Sequence, residues 1–126
     1  MDLLDLMPKE DDITIPLFNP NNLEDPMENP DGSQMTVTLC SEDADPFLDA
    51  RFVAAKGYAE LGKDAAPSKV RDINAKMLSE VTIGWKLTLG GEPLEFNQEK
   101  AEEIYKKLPW IVAQVFKYLK EQRDFT

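Results

Sequence analysis

The period of the apolar positions changes several times along the chain, and each change marks an element. Residues 13–15, Ile-Thr-Ile, alternate with β-branched side chains. Residues 34–39 place Met35, Val37 and Leu39 on one face and polar groups on the other. Both patterns predict short strands, able to pair with each other. From Pro46 the period becomes helical: a helix over residues 46–61, capped by Asp45 and closed by Gly62, would bury Leu48, Phe52, Ala55 and Ala59. Ser68 is a cap for a second helix over residues 69–82, whose apolar stripe is Val70, Ile73, Met77 and Val81. Asn97 caps a third, where Ala101, Ile104, Tyr105 and Leu108 recur at helical spacing. Glutamates crowd its start and Lys106 and Lys107 its end, as the helix dipole favours. Pro109 breaks that helix and opens a fourth, with Trp110, Ile111, Ala113, Val115, Phe116 and Leu119 as its apolar set.

The intervening segments are punctuated by glycine and proline. After a continuation of the second helix through Ile83 and Gly84, residues 85–89 read as extended; Gly90-Gly91 permits positive φ, and Pro93 rules out a central strand. Upstream, Pro16, Pro20, Pro26 and Pro30 stand among Asn and Asp, a density that predicts loop without regular structure. The expected fold is α+β, mostly α. About four helices and a small N-terminal strand pair are preceded by an extended, proline-rich arm, with the arm over residues 1–30 and a small helical domain over residues 31–126.

Charge sharpens this division. The chain has 126 residues and a net charge of −10. Residues 1–50 carry 13 acidic side chains against the single Lys9, whereas residues 51–126 carry 11 acidic and 13 basic ones. Such an acidic segment argues against binding nucleic acid or an anionic membrane, which need Lys and Arg to displace counterions. It fits a basic protein partner, or simple solubility. Cys40 is the only cysteine, so neither an internal disulfide nor a thiolate metal cluster can form within one chain, and a reducing compartment is expected. No apolar stretch approaches the roughly 20 residues that span a bilayer.

Reactive chemistry is scarce. With no histidine, the chain lacks the commonest general base, the usual partner of a nucleophilic Ser or Cys, and the usual zinc ligand. Gly62-Lys63-Asp64 has neither the glycine spacing nor the hydroxyl residue of a phosphate-binding loop. Asp43 with Asp45, or Glu42 with Asp43, could in principle hold a divalent cation, but the spacing matches no ligand loop and capping accounts for Asp45. The expectation is a non-enzyme with no catalytic residues, no cofactor and no metal. Cys40 reads as a small hydrophobe rather than a nucleophile. Trp85, Gly90, Gly91, Phe96, Asn97, Trp110 and Phe116 form the expected structural hub; the aromatics are core first, with Trp110 or Phe116 alternatively extending a groove for a partner helix. Leu3, Leu4, Leu6 and Met7, among acidic neighbours, are the candidate partner-docking residues.

The order of these segments resembles a family of small tail assembly chaperones and tail accessory proteins of long-tailed bacteriophages. The resemblance spans residues 13–126. It rests on a Pro-Met-Glu-Asn-Pro-Asp-Gly-Ser-Gln-Met-Thr-Val-Thr-Leu strand region ending at Leu39, the acidic corner from Ser41 to Asp45, Arg51 in the first helix, and Val81 followed by Trp85. It continues with Gly90-Gly91, Pro93-Leu94-Glu95-Phe96-Asn97, Pro109-Trp110 and the terminal Arg123-Asp124-Phe125. Its most specific parts are residues 84–97 and 108–115. The resemblance implies a non-enzymatic protein of the host cell cytoplasm, with virion association left open. It would bind and shield the tape measure protein and help the tail tube protein polymerise around it; self-association is also left open. The proline-rich first 30 residues and concentrated acidity depart from the family pattern. They leave room for a different job within the same phage module, such as a head-to-tail connector or a minor virion component. The net charge of −10 and the absence of catalytic groups support a second reading from another class, an acidic mimic of nucleic acid that inhibits a DNA- or RNA-binding enzyme. A mimic would array carboxylates over a folded surface, whereas here they crowd before residue 50.

Overall fold

The computed structural model describes residues 2–3 and 11–124. The alternating segments form strands as their pattern predicts: β1 (Ile13–Pro16) pairs antiparallel with β4 (Thr36–Leu39), Ile13 opposite Leu39 and Ile15 opposite Val37. The expected strand pair is in fact three strands. A further strand, β5 (Thr82–Lys86), pairs with the other edge of β4, giving the order β1-β4-β5. The second helix stops at Val81 because Thr82 is already extended, at φ −77° and ψ 130°, and β-branched Thr82 and Ile83 suit a strand better than a helix. Ile15, Val37 and Trp85 make one cross-strand row on the core side; Thr14, Thr38 and Gly84 make the next row on the opposite side, where the two threonine hydroxyls lie 3.2 Å apart. Between Thr38 and Leu39 the register shifts, which leaves Ile83 without a partner on β4 and turned to solvent.

The proline-rich segment is more structured than expected. It holds a hairpin of β2 (Phe18–Asn19) and β3 (Asn22–Pro26), with Pro16 and Pro26 at strand ends, where a missing N–H is tolerated. Ile15 and Leu17 are buried in the same core as the helical residues. Two side-chain amides fasten this segment to the rest. Buried Asn29 donates to the Ser33 hydroxyl at 3.2 Å and to the Lys86 carbonyl at 3.3 Å, and accepts from the Thr88 hydroxyl at 2.5 Å. Gln114, far along the chain, accepts from the Phe18 amide at 2.9 Å and donates to the Phe18 carbonyl at 2.8 Å, as a neighbouring strand would. Gln114→Ala is expected to lose about 1–3 kcal/mol, two hydrogen bonds at ~0.5–1.5 kcal/mol each. Urea denaturation reads that loss, and hydrogen exchange should find the Phe18 amide among the most accelerated.

Four helices follow, and two of their caps differ from expectation. α1 (Asp45–Leu61) is capped by Ala44, not Asp45, which stands inside the first turn; the hydroxyl of Ser41 instead accepts from the amide of Asp43. α2 (Pro67–Val81) is capped by Ala66 and opens on Pro67, so Ser68 lies within the helix. α3 (Gln98–Lys107) has the predicted cap, Asn97 Oδ1 accepting from the Lys100 amide at 2.7 Å. α4 (Pro109–Asp124) buries Ile111, Val112, Val115 and Leu119 and leaves Ala113 exposed. Before α3, β6 (Thr88–Leu89) and β7 (Glu92–Pro93) form a hairpin. Its two turn residues, Gly90 and Gly91, have φ of 62° and 83°, the pair of positive values that a tight hairpin turn requires.

The largest departure concerns the face of α1. Leu48, Phe52, Ala55 and Ala59, expected to be buried, are exposed; the helix instead packs on α2 through Phe47, Ala50 and Ala54. Small residues decide this orientation. Gly57 continues the inward row, and a Cβ there would lie only 3.2 Å from Ile73 Cδ1, so α2 comes closer on this face than a row containing Phe52 would allow. α2 is the central helix, packed against α1, α3 and α4, and its Ala75, Leu78 and Val81 are fully buried.

Candidate functional site

The residues singled out around the glycine turn fall into two groups. Trp85 meets Phe96 edge-to-face at 5.1 Å between ring centroids, and meets Tyr105 in the same manner at 6.4 Å. Its indole N–H donates to the Leu94 carbonyl at 2.8 Å, so the ring is packed at its faces and bonded at its tip. Gly90, Gly91 and Asn97 shape the backbone on either side and are themselves exposed. Trp110 and Phe116 belong elsewhere, on α4, half-buried against the same core. Of the N-terminal candidates, Leu3 is 78% exposed, and Leu4, Leu6 and Met7 lie outside the described residues.

Phe116 lines an apolar groove of about 490 Å³ between the N-terminal halves of α2 and α4, within the ~300–1,000 Å³ of clefts that accept ligands. Val70 of α2 and Val112, Ala113 and Phe116 of α4 form its walls; Tyr105 lies at its floor, and Pro109 closes one end. Asn74, at the rim, accepts a hydrogen bond from the Tyr58 hydroxyl. Pro67 and Pro109, the first residues of α2 and α4, both line the groove, and buried Tyr105 of α3 lies between those helix starts. Val112 escaped the sequence reading, which assigned Ala113 inward. The spacing of Ile111, Val112, Val115 and Leu119 would have placed it, and would have left Ala113 on the wall.

A second cleft, about 600 Å³, lies where β1, the corner before α1 and the end of α4 come together. Its charges are mixed: Asp11, Asp12, Glu42 and Asp43 face Arg51 and Arg123. Glu42 is ion-paired with Arg51, whose guanidinium stands 4.6 Å from the centre of the Phe47 ring. Within the acidic corner Glu42 is thus engaged by a protein cation. Among the described residues no group of three or more His, Cys, Asp or Glu side chains could hold a metal ion, and no helix is long and apolar enough to cross a membrane. Cys40 is half-buried, its amide donates to the Val81 carbonyl at 3.0 Å, and burial pushes its thiol above the usual range, which disfavours the reactive thiolate.

Compared with known proteins, the chain matches no family model, no curated protein and no solved structure.

Proposed function

We propose that this chain is a non-enzymatic protein-binding module that receives an amphipathic helix in the groove between α2 and α4. We further propose that it acts as a tail assembly chaperone of a long-tailed bacteriophage, the bound helix belonging to the tape measure protein. The observation that carries the binding role is the groove itself: an apolar trough with walls of Val70, Val112 and Phe116, floored by the core residue Tyr105. The tail-assembly assignment rests on the ordered motifs of residues 13–126, several of which have structural work in the fold. Trp85 and Phe96 pack together, Gly90-Gly91 forms the turn, and Asn97 caps α3.

The physical role follows from what such a partner needs. A long helical protein made ahead of its surrounding tube exposes apolar stripes to water, and each large side chain received by a groove regains about 1.5–3 kcal/mol of transfer free energy. The exposed carboxylates of the first 50 residues keep the resulting complex charged and dispersed. Release to the tail tube protein then needs only that tube subunits bury the same stripe over a larger area.

Ala113→Glu tests this reading. Ala113 is exposed on the groove wall, so the substitution leaves the core intact and sets a charge where an apolar partner must lie. The expected result is an unchanged melting temperature with at least a tenfold loss of affinity for the tape measure protein of the same phage, measured by co-purification and by titration with its helical segments. Full binding by the folded variant would overturn the groove assignment. Failure of the wild-type chain to bind or solubilise that protein would overturn the tail-assembly role.

A further inference from the structure

We infer that the outward face of α1 is a self-association surface, on which a second copy of this chain packs its own α1 in antiparallel orientation. Leu48, Phe52, Ala55 and Ala59 recur at spacings of four, three and four residues, the rhythm of a coiled-coil seam. Among the described residues this seam is exposed: Phe52 is 72% exposed and Leu48 49%, while the opposite face of the same helix is packed on α2. A helix with two apolar faces, one of them unoccupied, has room for one more partner.

The seam is complementary to itself in one direction only. Turned end over end about the midpoint between residues 52 and 55, each Phe52 faces an Ala55 of the other copy and each Leu48 faces an Ala59. Large side chains thereby meet small ones along the contact, as knobs meet holes. The flanking charges agree. Asp49 of one copy comes beside Lys56 of the other, a pairing that occurs twice. A parallel arrangement would set Phe52 on Phe52, alanine on alanine and Asp49 on Asp49. Arg51, which also flanks the seam, is engaged with Glu42 and Phe47 within its own chain and does not disturb the match.

The contact is of modest size. A helix of 17 residues is ~25 Å long, and one such pair covers less than the ~1,600 Å² of a standard stable interface. The dimer therefore belongs to the weak, transient class. It uses a face distinct from the groove, so both contacts can form together.

Sedimentation equilibrium of the full chain from ~5 µM to ~1 mM, at low ionic strength, tests the proposal. The expected result is a concentration-dependent monomer–dimer equilibrium, abolished by Phe52→Glu with no change in the melting temperature of the dilute protein. Asp49→Lys and Lys56→Asp should each weaken the dimer several-fold, and the double variant should restore it, because the exchanged charges again meet across the antiparallel seam. A wild type that stays monomeric at ~1 mM would overturn the proposal, as would a dimer indifferent to Phe52→Glu. Single charge variants that dimerise normally, or a double variant that fails to recover, would overturn the antiparallel register. Loss of dimer with retained partner binding would leave the groove reading intact.

Discussion

Replacing Tyr105 by alanine should lower the unfolding free energy by about 3–5 kcal/mol, as for other buried aromatics truncated to a methyl group. That is a large part of the ~5–15 kcal/mol that holds an ordinary domain folded. Tyr105 has no solvent exposure and connects α3 to the central helix, the sheet and the groove floor. Its hydroxyl ends a short polar chain. Thr82 Oγ1 gives its only proton to the Leu78 carbonyl at 2.7 Å, so the Tyr105 hydroxyl, 2.8 Å away, must be the donor to Thr82. Tyr105→Phe removes that donor, keeps the ring, and should cost only about 0.5–1.5 kcal/mol. The gap between the two variants in urea denaturation separates packing from hydrogen bonding. The same residue makes the fold sensitive to alkali: burial raises its pKa well above the usual tyrosine range, so the folded state holds the proton that the unfolded state releases. Its contribution is complete below pH ~10 and falls as pH rises beyond that, and Tyr105→Phe should flatten this alkaline loss.

The features legible in the sequence were those where local chemistry and tertiary packing agree. The strand alternation at residues 13–15 and 34–39, the Asn97 cap and the Gly90-Gly91 turn all appear in the fold, because each is specified within a few residues. The failures are equally physical. Asp45 and Ser68 are good capping residues, but Ala44, two residues before Pro46, and Ala66, directly before Pro67, already hold the extended backbone that a cap needs, so the helices begin there without a side-chain cap. The apolar face of α1 was misplaced because it contains the larger side chains, whereas close packing on α2 selects the row with alanines and Gly57. Periodicity shows that a helix has an apolar face; it does not say which neighbour will cover it. β5 was hidden for a similar reason, since its first residues continue the helical pattern of α2 until their pairing with β4 decides the matter.

The same distinction bears on the candidate site. The groove is built from residues that sequence reasoning assigned to core faces, Val70, Tyr105, Ala113 and Phe116 among them, yet these come from three helices, α2, α3 and α4, and meet only when those helices pack together. No single segment encodes that arrangement. The outward row of α1, in contrast, is visible in the sequence as an apolar stripe; only the structure shows that it is exposed among the described residues.

Phe47→Ala is the second substitution expected to approach the stability of the whole fold, again by about 3–5 kcal/mol. Phe47 is the anchor of α1, only 2% exposed, and the remainder of that helix's inward face is alanine and glycine, which bury little surface. Beside it lies a hollow of about 150 Å³ bordered by Met77, Phe116 and Leu119. Truncation would merge the lost ring volume with this hollow rather than leave a sealed void. Leucine should recover most of the loss, since it keeps the apolar anchor at smaller volume. The ring also carries the Arg51 guanidinium on its face, but that contact contributes less than the packing beneath it. Arg51 and Glu42 are partly exposed, and such a pair stabilises by no more than about 1 kcal/mol. Arg51→Met should therefore melt within a few degrees of the wild type, whereas Phe47→Ala should release α1 from α2. Calorimetry together with hydrogen exchange along α1 distinguishes these outcomes: equal losses for the two variants would mean that the ion pair, and not the buried ring, fastens the helix.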